Sequence, residues 1–302
     1  MKTKDRPIET HTQVIGSFLE YAEIDEKEKE LLRNELKRYI EDRIMKGKWC
    51  HPMITKFHTD WYREFYRLVD KEDPYKEIKE KSNEKSRIIL KNLKPKDIKE
   101  RIMLAIMGNK IDFGACAKGT YDLEQIGNDI INIKNEKLFI NDINKLIKGI
   151  KKAKNVFYLL DNNGEMIFDI LLLEYILKYV KKENIFLVAK ESPLLNDVTV
   201  EDLRKNNMDK YGNIVSTGSN CFGLHEEEIS DDFKKLFKTA DLIIAKGQAY
   251  LEFFSEYNFN NVIHISRIKH EIKGNFPTLK PGMNVVMSSK RYAGKGVDYK
   301  WD

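Results

Sequence analysis

The sequence contains few cysteines and no long apolar run. Its 302 residues include three cysteines, Cys50, Cys116 and Cys221, and no two of them form a CxxC pair. This spacing argues against a disulfide framework and against a cysteine-rich zinc site. No apolar run approaches the ~20 residues that a membrane-spanning helix needs, and residues 1–13 have no apolar segment typical of a signal peptide. We therefore expect a cytoplasmic protein with no membrane partner.

Neither sign of charge is in large excess, and several familiar motifs are missing. The chain has 53 basic and 48 acidic side chains, a formal net charge of +5, and its lysines are spread along the sequence. Such a pattern is typical of a solvated surface and predicts no nucleic-acid partner. The histidines show no HxxxH spacing, and GxGxxG, GxxxxGK[ST] and GxSxG do not occur at suitable places. The standard dinucleotide-binding, P-loop and serine-hydrolase interpretations therefore lack support.

The first half of the sequence predicts helices. Apolar spacing indicates helices over residues 25–42, 60–68 and 73–90, and a further one from Pro95 that ends at Gly108-Asn109. Residues 123–151 hold two shorter helical stretches, and no segment in this half gives a convincing strand signal. We therefore expect a helical domain over residues 1–150.

The second half alternates strand-like and helical segments. The predicted strands are residues 155–161, 184–190, 212–216, 241–247, 261–266 and 284–289, and the predicted helices are 165–182, 199–206, 230–240 and 249–257. Strand–helix alternation with short loops predicts an α/β fold, a three-layer α/β/α domain with a mostly parallel sheet over residues 151–302. Ligands of such sheets bind beyond the carboxyl ends of the strands.

Carboxylate and amide side chains follow the first two of these strands. Asp161 and Asn162 come directly after the first, and Asp197 follows the second. Their oxygens suit a hard divalent cation, and loops after neighbouring strands converge, so the three side chains can meet around one ion. Asp, Asn and Gly are also the ordinary residues of turns and N-caps, and local sequence leaves that alternative open.

Two further carboxylates lie on the helix after Asn162. Glu165 and Asp169 fall on the side opposite its solvated stripe. An unpaired buried carboxylate is costly, so we expect Asp169 to hydrogen-bond the loop or a neighbouring basic group. Glu165 has a simpler alternative, because a negative charge near a helix start interacts favourably with the helix dipole.

Other loops offer groups suited to phosphate. The loop after the third strand contains Ser216, Gly218 and Ser219, and the fourth strand ends at Lys246-Gly247. Hydroxyl and N–H donors and a lysine can bind phosphate oxygens, although a surface lysine beside a turn glycine is an equally ordinary pattern. In the first half, Asn109 and Asp112 lie in a loop that either leans over the site or merely ends a helix.

Taken together, the order and spacing of these segments resemble one family. The segments are DPYKEIKEKSNEKS (73–86), MGNKIDFG (107–114), LLDNNGEMIFD (159–169), ESPLLNDVTVEDL (191–203), STGS (216–219) and ADLIIAKGQAYLE (240–252). The chain resembles the archaeal-type branch of the damage-control phosphatases, also known as domain of unknown function 89. The resemblance implies a helical N-terminal region, a Rossmann-like catalytic domain, and hydrolysis of small phosphorylated metabolites such as sugar phosphates, supported by Mn²⁺, Co²⁺, Ni²⁺ or Mg²⁺.

The resemblance also implies roles for individual residues. The metal ligands would be Asp161, Asn162 and Asp197, and the phosphate would contact Lys246. The other residues that match family positions near the site are Glu165, Asp169, Asn109 and Asp112. We expect the ion to polarise the phosphoryl oxygen and either Glu165 or Asp169 to position the attacking water.

Some positions depart from the family pattern. An N-terminal CxxC pair is missing, Tyr250 stands where asparagine is usual, and the tail from Arg267 differs. These departures keep open a non-catalytic protein that binds a phosphorylated metabolite. A methyltransferase is less favoured, because residues 161–165 form a poor glycine-rich loop for an adenosyl ligand. The sequence predicts neither the substrate nor the oligomeric state.

Overall fold

The computed structural model describes Leu19 and residues 25–45, 54–108, 136–270, 272, 276, 278–294 and 296–299. Within these, four helices precede the sheet: α1 (Glu26–Met45), α2 (Ile54–Val69), α3 (Lys76–Lys91) and α4 (Ile98–Gly108). Each was predicted, although α2 begins six residues before the expected start. An apolar cluster that includes Trp61 and Phe65 also contains Leu194. The helical region therefore packs on the loop that carries Asp197.

Seven strands form one mostly parallel sheet. They are β1 (Leu138–Asn141), β2 (Val156–Leu159), β3 (Ile185–Ala189), β4 (Asn213–Ser216), β5 (Leu242–Lys246), β6 (Val262–Arg267) and β7 (Asn284–Ser288). Their order is β1-β7-β6-β5-β2-β3-β4, and among the strands of the described residues only the β6–β7 pair is antiparallel. All six predicted strands are present, which confirms the predicted α/β class.

The first strand corrects the expectation that no strand precedes residue 150. β1 has four residues and pairs with β7, which lies more than 140 residues further along the chain. A strand this short, half buried at a sheet edge, carries too few apolar residues to show a period of two. The sheet thus begins at Leu138, and a domain boundary near residue 150 stays a prediction.

Helices cover both faces of the sheet. They are α5 (Ile143–Lys152), α6 (Glu165–Ile176), α7 (Val200–Lys205), α8 (Asp231–Phe237) and α9 (Gly247–Phe254). Along β2, Val156 and Tyr158 face one apolar cluster, whereas Phe157 and Leu159 face another. This alternation builds a three-layer α/β/α arrangement. Within the described segments, no helix is both long and apolar enough to cross a bilayer.

Candidate functional site

The turns that follow β2 and β3 are joined by backbone pairing. Asn162 and Asp197 form an isolated antiparallel bridge. The N–H of Val198 donates to the carbonyl of Asp161 at 2.8 Å, and the N–H of Asn163 donates to the carbonyl of Asn196 at 2.8 Å. Opposite residues of such a bridge present their side chains on one face, with Cβ atoms about 4.5–5.5 Å apart. The fold therefore places Asn162 and Asp197 side by side.

The side chains at this junction offer three oxygen donors. Asp161, Asn162 and Asp197 are 9%, 4% and 8% exposed. The Asn162 amide nitrogen donates to Asp161 Oδ2 at 2.8 Å and to Glu165 Oε2 at 3.2 Å. This orientation makes Oδ1 the amide atom that can bind a cation. In the described part of the chain no group of three or more His, Cys, Asp or Glu is arranged to hold a metal, so the candidate donor set depends on the Asn162 amide.

A glycine lies directly against the Asp161 carboxylate. Gly247 is the first residue of α9 and has φ +78°. A Cβ at this position would lie 2.5 Å from Asp161 Oδ1 and would also overlap Oδ2. Glycine is thus required at this position for two reasons, the left-handed backbone and the close approach. The sequence analysis placed Gly247 at phosphate, and that contact stays a prediction; the group that Gly247 approaches in the structure is the Asp161 carboxylate.

Lys246, at the end of β5, is completely enclosed. Its Nζ donates to Glu165 Oε1 at 2.6 Å, to Asp169 Oδ1 at 2.6 Å and to the carbonyl of Ala105 at 3.0 Å. An ammonium group has three N–H donors, so these acceptors use all of them. Lys246 therefore holds Glu165 and Asp169 against α4. To bind phosphate directly it would have to give up one of these bonds.

The same cluster perturbs the protonation of Asp169. Its Oδ1 also accepts a hydrogen bond from the Tyr158 hydroxyl at 2.8 Å. Burial raises the pKa of Asp169 to about 6, with Lys246 opposing the shift and Glu165 adding to it. Burial lowers the pKa of Lys246, but the two carboxylates outweigh burial and raise it. The expected pairing of Asp169 with a basic group is confirmed, and one ammonium here faces two carboxyl groups.

Lys190 is a site residue that the sequence analysis did not single out. It directly follows β3, and its Nζ lies 3.4 Å from Asp197 Oδ2. The same ammonium donates to the carbonyls of Asn220, at 3.3 Å, and Cys221. It therefore places a positive charge beside the second candidate carboxylate. A lysine at the end of an apolar strand is the signal that identified Lys246, and applying it to β3 would have identified Lys190.

The hydroxyl groups of the predicted phosphate loop bind protein groups. Ser216 Oγ donates to Glu191 and accepts from the N–H of Gly218 at 2.8 Å. Ser219 Oγ donates to Glu228 Oε2 at 3.2 Å. Contact of Ser216, Gly218 or Ser219 with phosphate stays a prediction.

An ion-pair network joins this loop to α2. Arg63 donates to Glu228 at 3.0 Å and 2.8 Å and to Asn220 Oδ1 at 2.7 Å, and Lys56 Nζ lies 3.0 Å from Glu228. Burial opposes the shift, but the hydrogen bonds from Arg63 and Lys56 outweigh it and lower the pKa of Glu228 to about 2. A carboxyl group with a depressed pKa stabilises the fold above its unfolded-state pKa.

Replacing Glu228 with Gln is expected to lower the free energy of unfolding at pH 7 by about 1–2 kcal/mol, since solvent screens this partly buried pair. The difference from wild type should shrink as pH falls from about 4.5 towards 2, because the wild-type carboxylate is then protonated. Urea unfolding of both proteins at several pH values measures this difference in the free energy of unfolding. Glu201→Gln, which removes an exposed pair with Lys205, should change little. A difference that does not narrow in acid would contradict this account.

Three other residues were named in the sequence analysis: Tyr250, Asn109 and Asp112. Tyr250 lies one helical turn after Gly247, and burial together with the charges of Asp197 and Asp161 raises its pKa. Asn109 and Asp112 lie outside the described residues. They follow Gly108, where a Cβ would approach the Glu165 Cα to 2.9 Å. α4 thus ends directly against the residue that contacts Asn162.

The fold and this junction define a three-layer α/β/α protein with an acidic site at the carboxyl edge of its sheet. Over residues 3–284 the sequence matches the damage-control phosphatase ARMT1-like domain, and the chain belongs to this family.

Relatives and a solved structure agree with this membership. Damage-control phosphatase PH1575 of Pyrococcus horikoshii is 34% identical over 211 residues, which are 69% of this chain and 72% of that protein. A damage-control phosphatase of Archaeoglobus fulgidus is 32% identical over 228 residues, 73% of this chain and 77% of that protein. The crystal structure of a DUF89 family protein from P. horikoshii superposes with a TM-score of 0.80 at 29% identity, covering 93% of this chain and 97% of that one. These relatives support a phosphatase role.

Proposed function

We propose that this protein is a metal-dependent phosphatase that hydrolyses small phosphorylated metabolites, such as sugar phosphates or damaged phosphorylated intermediates. The observation that carries the proposal is the bridge that sets Asn162 opposite Asp197, with Asp161 next in the chain. The names of the two archaeal relatives, both damage-control phosphatases, support the reaction class.

The donor set suits a hard divalent cation. Two carboxylates and one amide oxygen are all-oxygen ligands of the kind that Mg²⁺ and Mn²⁺ prefer, and Co²⁺ and Ni²⁺ also accept them. Three protein donors leave coordination positions for water and a phosphate oxygen. When bound, the ion would polarise the phosphoryl group and offset the charge that develops on it.

The surrounding residues hold these donors in place. Glu165 accepts from the Asn162 amide and is fixed by Lys246, so it lies beside the ion site and can position the attacking water. Asp169 lies one helical turn after Glu165 and is hydrogen-bonded to Lys246 and Tyr158. We therefore assign water positioning to Glu165 and a supporting role to Asp169. Lys190 balances the charge of Asp197.

A chelation experiment tests the proposal. Protein treated with a chelator is expected to lose hydrolysis of p-nitrophenyl phosphate and to regain it with Mn²⁺, Co²⁺, Ni²⁺ or Mg²⁺. Asp197→Asn removes one ligand charge and should raise the half-saturating metal concentration at least ~10-fold. Asp232→Asn, at a fully solvated position, is the control. Hydrolysis that resists chelation, or an unchanged metal requirement in Asp197→Asn, would overturn the ion site.

A panel of small phosphate esters addresses the substrate. Turnover of sugar phosphates with the same metal requirement would support the proposed substrate class. Binding of these esters without release of phosphate, in protein that also leaves p-nitrophenyl phosphate intact, would favour a non-catalytic binding protein.

A further inference from the structure

A buried asparagine of α3 bonds to the turn that carries the proposed ion ligands. Asn83 is 6% exposed. Its Oδ1 accepts from the N–H of Gly164 at 2.6 Å, and its Nδ2 donates to Asn163 Oδ1 at 2.8 Å. One amide thus fixes two consecutive residues of the turn, 80 positions away in the chain.

Asn163 continues the connection to the second turn. Its Nδ2 lies 3.1 Å from the carbonyl of Asn196, 3.3 Å from that of Asp197 and 3.1 Å from Asp202 Oδ2. The Asn163 side chain is 1% exposed, so these bonds form away from water. The amide pair Asn83–Asn163 therefore contacts both the turn that carries Asn162 and the turn that carries Asp197. These are the two turns that the Asn162–Asp197 bridge joins.

The bond to Gly164 also satisfies a backbone N–H group at the start of α6. Gly164 precedes α6, and the first N–H groups of a helix have no partner within the helix. Gly164 itself provides no side-chain cap, and Asn83 accepts its N–H instead. The turn has φ +81° at Gly164, and a Cβ there would lie 3.1 Å from Ser82 Cβ. α3 thus lies close enough to fix the backbone from which α6 starts.

Docking of α3 does not depend on Asn83 alone. Lys79 Nζ lies 2.7 Å from Asp73 and 3.3 Å from Asp202, and Arg87 donates to Asn206 Oδ1 at 2.7 Å. The pair with Asp202 and the bond with Asn206 hold the same helix against α7. Asp202 Oδ2 also accepts from Asn163, so of these two contacts the Arg87–Asn206 bond is the one that lies outside the Asn83–Asn163 connection. Removing Asn83 should therefore leave α3 in place while it frees the turn.

We propose that Asn83, acting through Asn163, is a positioning residue that fixes the spacing between the Asp161–Asn162 turn and the Asp197 turn. This inference rests on the proposed function, because the spacing matters for an ion bound between the turns. Partners that orient metal ligands typically change metal affinity by about 10–100-fold when they are removed.

Titration of Mn²⁺ into chelator-treated full-length protein, followed by the electron paramagnetic resonance signal of the free ion, tests the role without measuring turnover. Asn83→Ala is expected to weaken Mn²⁺ binding at least ~10-fold. Arg87→Ala removes a polar contact of the same helix and is the matched control, with unchanged Mn²⁺ affinity. The melting temperatures of the two variants should fall by similar amounts.

A double-mutant cycle tests whether Asn83 influences Mn²⁺ affinity through Asn163. If Asn83 acts through Asn163, the variant that carries both Asn83→Ala and Asn163→Ala should lose clearly less Mn²⁺ affinity than the two single losses combined, the remainder reflecting the bond of Asn83 to Gly164. Additive losses, or unchanged Mn²⁺ affinity in Asn83→Ala, would overturn the positioning role while the ion site stands. A wild-type protein that binds no Mn²⁺, Co²⁺, Ni²⁺ or Mg²⁺ would instead refute the ion site and the inference together.

Discussion

Replacing Gly247 with alanine is expected to abolish metal-dependent phosphate release while the protein stays folded. The new Cβ would overlap both Asp161 carboxylate oxygens. The Cβ would overlap Asp161 Cγ as well, so a turn of the carboxylate plane cannot relieve the contact. The Asp161 side chain must instead rotate about its Cα–Cβ bond, which moves the whole carboxylate away without unfolding the protein. A displacement of about 1 Å at a reacting centre can cost on the order of 100-fold in rate, and loss of a metal ligand costs more. The loss should approach that of Asp161→Ala.

A second glycine provides the matched control. Gly294 has φ +86°, close to that of Gly247, and a Cβ there meets nothing within 4 Å. Gly294→Ala therefore carries the same kind of backbone cost, about 1–2 kcal/mol, without crowding. Rates at saturating metal, with circular dichroism and thermal melts of both variants, separate the two effects. Equal activities in the two alanine variants would show that the Asp161 carboxylate is not required where the structure places it.

Much of this site follows from the sequence for a clear reason. Asp161 lies two residues after β2 and Lys246 is the last residue of β5; the residues of both strands are buried, and such strands give a strong apolar signal. Their ends are therefore easy to locate, and the rule that ligands bind at the carboxyl edge of a parallel sheet identifies the loops. β1 gave no such signal, because its four residues alternate between half-buried and exposed at a sheet edge.

The connections between these residues could not be derived in the same way. A lysine at a strand end predicts a positive charge at the site, but not whether its partners are substrate or protein. The structure places Glu165 and Asp169 on Lys246, and both lie about 80 residues earlier in the chain. The contact of Asn83 with Gly164 spans a similar separation. The position of α6 against β5 brings Glu165 and Asp169 to Lys246, and the packing of α3 against the start of α6 brings Asn83 to Gly164.

Replacing Lys246 with methionine is expected to destabilise the protein strongly, by about 3–5 kcal/mol, because it leaves two enclosed carboxyl groups without a cation. Glu165 and Asp169 are both 0% exposed. Methionine has a similar length and fills the same space, so the loss reports charge rather than volume. Lys205→Met, which breaks an exposed pair with Glu201, should cost at most about 1 kcal/mol. Urea unfolding at pH 7 gives both values.

The dependence of this loss on pH distinguishes charge from packing. A carboxyl group whose pKa is raised in the folded protein stabilises it below the unfolded-state pKa, and this contribution is lost as pH rises through the folded-state pKa. Asp169 already has a pKa of about 6 in the presence of Lys246, and removing the ammonium raises this pKa further. The loss of unfolding free energy in Lys246→Met should therefore be larger at pH 7 than at pH 5.

Adding Glu165→Gln and Asp169→Asn to this variant removes both buried charges and should recover part of the loss. A deficit that is equal at both pH values and is not relieved by these substitutions would mean that Lys246 contributes through packing alone.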